Sequence, residues 1–152
     1  MRRVRSGELI AGAGACVLLV STFLTWYSPR AREDDLNAWQ AFSVLDLLLA
    51  VVIALGLALA ITQVVGRGPA LPVAIGVATA TLALVATILV AYRILNQPGP
   101  NDALTVGAGA WLGLVSVAAV ALGAWRSLSD ERARPVDPPA PVPERRPTPA
   151  RS

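Results

Sequence analysis

Hydrophobic and polar positions along this chain fall into long blocks, not into the short alternation of an amphipathic strand or helix. Four apolar stretches, at about residues 9–27, 44–65, 71–92 and 106–125, are separated by brief polar ones. A helix rises ~1.5 Å per residue, so ~20 apolar residues cross the ~30 Å hydrocarbon core of a bilayer. Each stretch therefore predicts a membrane-spanning helix. The separators support that division. Gly66, Gly68, Pro69 and Pro72 combine the glycine that ends helices with the proline that opens them, which predicts a tight hairpin. Asn96 to Asp102 holds turn formers, with Asn101 or Asp102 placed to cap the fourth helix. Between the first two stretches, Ser28 and Pro29 stop a helix and Arg30 to Asp35 is charged or small, so that segment is expected in water. Asn37 and Gln40 then have capping-box spacing, which starts the second helix near Ala38 and places Trp39, Phe42 and Asp46 on one face.

The fold expected is all-α: a transmembrane four-helix bundle over residues 1–128, followed by a disordered tail over 129–152. From Ser127 onward the chain holds seven prolines and five arginines and almost nothing apolar enough to pack. The arginine-rich opening resembles a secretory signal, but the apolar run to Tyr27 is longer than a signal's core, so the first helix is expected to be retained.

Charge sets the orientation. With both termini cytoplasmic, the inner segments carry ten arginines (Arg2, Arg3, Arg5, Arg67, Arg126, Arg132, Arg134, Arg145, Arg146 and Arg151) against three outside (Arg30, Arg32 and Arg93). Basic residues concentrate on the cytoplasmic side, so a multi-pass protein of the cell membrane with both termini inside is expected. Aromatic side chains prefer headgroup depth, and Trp26, Tyr27, Trp39, Trp111 and Trp125 are the expected interfacial anchors, with Tyr92 beside them.

Composition narrows the chemistry. Hydrophobic residues make up 55% and charged ones 15%, with no His, no Lys and one Cys, which excludes an internal disulfide, a Cys/His zinc site and a histidine base. No cofactor, metal or catalytic residue is expected, and the chain reads as no enzyme. Ionisable residues at membrane depth are costly and invite a role. Glu8 sits in a first turn beside arginines, a structural position. Asp46 and Arg93 lie at matching outer depth on consecutive helices, and a structural ion pair between them is the candidate site. Small residues recur at helix-contact spacing in Gly109/Gly113, Gly56/Ala60, Gly76/Ala80 and Ala11/Ala15, so close helix approach is expected, within the chain or between chains.

The segments Ser21 to Tyr27, Asn37 to Leu49, Tyr92 and Arg93, and Gly109 to Leu114 leading to Asp130 and Glu131 resemble small, uncharacterised four-span membrane proteins of actinobacteria. The likeness covers about residues 7–131 and implies topology and location, not activity. The function expected is a non-enzymatic accessory or structural bundle. Its partners are the lipid bilayer and either a membrane protein or a second copy, not nucleic acid. The alternative is a channel or transporter subunit for a small solute.

Overall fold

A computed structural model describes residues 6–30, 35–41, 44–65, 70–97 and 104–132. The elements run α1 (Ser6–Ser21), β1 (Tyr27–Pro29), α2 (Ala38–Ala41), α3 (Val44–Val65), α4 (Ala70–Leu95), β2 (Leu104–Val106) and α5 (Ala108–Arg132). Three helices are long and apolar enough to cross a membrane, over Val44–Thr62, Val73–Leu95 and Ala108–Asp130; α1, at 16 residues, is a shorter apolar helix.

The packing follows from small residues on the facing sides. α1 lies against α3 and α5, and α4 lies against the same two helices. The contacts run in opposite chain directions. Gly12 meets Ala60 and Gly56 meets Ala15, so α1 and α3 are antiparallel. Gly7 approaches Ser127 while Gly113 approaches Ser21, so α1 and α5 are too. Leu18, Leu49, Val52, Val90, Val117 and Val120 are fully buried between the helices. Apolar side chains also cover the outside, including Val20, Leu47, Ile88 and Val115.

Two expected boundaries change. The first helix ends at Ser21, not near Tyr27. Ser21 Oγ donates to Leu18 O at 2.7 Å and Thr22 Oγ1 to Leu19 O at 2.7 Å, and the next amides reach back only three residues, from Phe23 to Val20 and from Leu24 to Ser21. Hydroxyls that take up backbone carbonyls compete with helix propagation and favour a turn here. The chain then enters β1, which pairs antiparallel with β2 through Tyr27 and Val106, Ser28 and Thr105, and Pro29 and Leu104; Leu36 bridges to Tyr27. The fold is thus helical with one short strand pair, not purely α. At the other boundary, α5 continues to Arg132. Residues 129–132, assigned above to the tail, are helical because Ser127 and Leu128 still pack inward. The remainder of the expected tail lies outside the described residues, as do residues 66–69 of the hairpin expected over 66–72 and 98–102 of the loop expected over 96–102.

α2 carries the capping box in full: Asn37 N donates to Gln40 Oε1 at 3.2 Å and Gln40 N to Asn37 Oδ1 at 3.0 Å. α3 is described from Val44, with Asp46 near the start of that range.

Candidate functional site

The strand pair caps one end of the helices, and Trp26 and Tyr27 hold it there. Gly109 and Gly113 of α5, one turn apart, leave a groove. A Cβ at Gly113 would lie 2.6 Å from Trp26 Cζ2, and one at Gly109 would lie 2.8 Å from Trp26 Cδ1 and 2.7 Å from Thr25 O. The Trp26 ring fills that groove, and its indole N–H donates to Ser21 O at 2.7 Å. The small-residue motif therefore seats a side chain of the same chain, which answers whether it serves contacts within or between chains. Tyr27 O–H donates to Arg93 O at 2.9 Å, tying the cap to the end of α4.

These contacts correct two expected anchors. Trp26 and Tyr27 are wholly buried, because each ring has a protein cavity to fill and a carbonyl to receive its polar hydrogen. Trp39, Trp111 and Trp125 are exposed, as is Tyr92, whose hydroxyl accepts from Asn96 Nδ2 at 2.7 Å. Phe23 joins Trp39 on the surface, with ring centroids 6.4 Å apart.

Asp46 and Arg93 do not meet. Asp46 is 7% exposed and its Oδ1 has no hydrogen-bond partner among the described residues. Asp46, Ile53 and Ala60 recur every seven residues and so form one stripe of α3, drifting by only ~20° per interval. Ala60 meets Gly12, so the Ala60 end of the stripe faces α1.

At the opposite end, Ser127 Oγ donates to Glu8 Oε1 at 3.0 Å, and both residues are buried. Gly7 and Gly123 make this possible: a Cβ on Gly7 would lie 2.6 Å from Ser127 N, and one on Gly123 would lie 2.5 Å from Ala11 N. The sequence reading placed Glu8 correctly in a first turn but missed Ser127, since no periodicity links residues 119 apart.

The remaining buried hydroxyls serve their own helices. Thr79 donates to Ile75 O and Ser116 to Leu112 O, and the part-buried Thr62 and Thr87 donate to Leu59 O and Ala83 O. Such back-bonding is the usual state of Ser and Thr within lipid. Among the described residues, no group of three His, Cys, Asp or Glu side chains is placed to hold a metal. No protein-family model matches the chain, and neither curated proteins nor solved structures show a match.

Proposed function

We propose that this chain is an integral membrane protein whose four helices form a bundle, acting as a non-enzymatic accessory or structural component through lateral contacts. One observation carries the reading: apolar side chains cover the outward helix faces, while Thr79 and Ser116 between the helices are bonded to their own backbones. A surface of this kind is costly in water and natural in lipid, and hydroxyls held in this way are the usual state within a helix bundle in lipid. The topology proposed is that of the arginine distribution, with both termini cytoplasmic.

Photoreactive side chains at the outward positions Val20, Leu47, Ile88 and Val115, irradiated in native membranes, test the proposal. One helix face should capture the same protein repeatedly. Lipid adducts alone at all four positions, together with solute flux in vesicles holding the purified protein, would overturn it. Impermeant thiol reagents should reach cysteines placed at Asp34 and Asn101 in whole cells and should not reach one at Arg67. The second reading, a channel or carrier subunit, draws on Asp46, whose buried carboxylate oxygen lacks a hydrogen-bond partner among the described residues.

A further inference from the structure

α1 is short for a spanning helix. Its 16 residues reach roughly 24 Å, against a hydrocarbon core of ~30 Å. Its register against α5 shows where the shortfall lies. Gly7 meets Ser127 at one end and Gly113 meets Ser21 at the other, yet α5 continues from Gly113 back to Ala108, about 8 Å further. On the α1 side, that height is occupied by residues 22–27.

This segment has the two properties that irregular backbone needs at membrane depth. Its polar groups are taken up by protein: Trp26 N donates to Leu36 O, Gly107 N to Trp26 O, Gly109 N to Thr25 O and Ala38 N to Thr22 O. Irregular backbone is tolerated there only when it is satisfied in this way. Its outward side chains are also apolar. Phe23 is 66% exposed and Leu24 41%. α2 sets Trp39 against Phe23, and the following turn of α3 adds Val44 and Leu47, both exposed. Asp35 and Gln40, by contrast, are exposed and polar.

We infer that residues 22–27 and α2 form a lipid-contacting foot, with Phe23 and Trp39 seated at the boundary between acyl chains and headgroups of the phospholipid layer. The foot completes the short span of α1, and the exposed Asp35, which accepts from Thr25 Oγ1 at 3.2 Å and from Ser28 Oγ at 2.6 Å, marks its water-facing edge. An exposed aromatic pair with an apolar flank on one side and polar residues on the other matches the chemistry of that boundary. The inference rests on the membrane reading above.

Nitroxide labels at Phe23→Cys, Trp39→Cys, Asp35→Cys and Val115→Cys, each in a Cys16→Ala background and reconstituted in phosphatidylcholine vesicles, test it. Their accessibility to oxygen and to a water-soluble nickel chelate reports depth. All four sites are exposed; because Asp35→Cys removes the acceptor of Thr25 Oγ1 and Ser28 Oγ, unchanged circular dichroism verifies the fold of each labelled variant. The label at Val115 should be shielded from nickel and open to oxygen. Those at 23 and 39 should fall between it and the water-open Asp35. Nickel access at 23 and 39 equal to that at Asp35, with Val115 still shielded, would overturn the foot alone. Shielding of 23 and 39 from both probes would overturn it in favour of a protein contact, such as a second copy. Nickel access at Val115 would refute the membrane reading itself.

Discussion

Adding one methyl group at Gly113 should destabilise the protein, whereas the same change at Gly76 should not. At Gly113 the new Cβ would lie 2.6 Å from Trp26 Cζ2 and 2.9 Å from Cη2, far inside ordinary contact. The ring cannot easily retreat. Its N–H is bonded to Ser21 O, and the Trp26 backbone is bonded to Leu36 and Gly107. Overpacking of this kind costs about 1–3 kcal/mol, and tilting the ring away from Ser21 loses a hydrogen bond worth about 1 kcal/mol. Against this stands the helix-propensity gain of alanine over glycine, about 1 kcal/mol. The net for Gly113→Ala is therefore about 2 kcal/mol of lost stability. At Gly76 the Cβ would meet, among the described residues, only the Leu128 side chain, at 3.1 Å from Cδ2 and 3.6 Å from Cγ. That side chain is flexible and can rotate aside, so the propensity gain survives and Gly76→Ala should be neutral or slightly stabilising. Unfolding in mixed micelles by titration with a denaturing detergent measures both. Trp26→Phe, which removes the outer ring atoms, should make Gly113→Ala less costly, with a coupling of about 1 kcal/mol. Equal stability of the two alanine variants, or strict additivity with Trp26→Phe, would refute the groove as the seat of the ring.

Three further outcomes are expected. Ser127→Ala should cost about 1 kcal/mol in the same titration by removing the donor to Glu8 at the close approach of α1 and α5; no loss would mean the bond contributes nothing. Asp46→Asn and Arg93→Gln should have effects that add within about 0.5 kcal/mol, as distant sites do; a larger coupling would place the two side chains in contact. Tyr27→Phe should cost about 1 kcal/mol in the same titration by removing the donor to Arg93 O, which ties the cap to the end of α4; an unchanged midpoint would mean that bond contributes nothing.

Much of the site escaped the sequence for identifiable reasons. Asp46 and Arg93 were paired by depth alone, and depth leaves the rotation of each helix open. It was the contact of Ala60 with Gly12 that turned the Ala60 end of the Asp46 stripe toward α1. Trp26 and Tyr27 carry the aromatic signature of an interface, yet the same amphipathic ring suits a cavity with a carbonyl at its rim, and a one-dimensional pattern cannot distinguish the two. Strands of three residues show no periodicity at all, so β1 and β2 left no trace. The capping box at Asn37 and Gln40 was legible because its partners are three residues apart.

The sequence by itself determined the number and approximate extent of the apolar helices, because each requires only local content: an uninterrupted apolar run bounded by Gly, Pro and polar residues. It also determined that the helices would approach closely, since the small residues recur at helical spacing. Which small residue meets which partner was decided only in three dimensions. Gly109 and Gly113 seat an indole, Gly7 and Gly123 join the first helix to the last, and Gly56 and Gly12 join α1 to α3. A glycine specifies that something comes near without specifying what, because its contribution is the space it leaves. The occupant of that space is chosen by the packing of the whole chain.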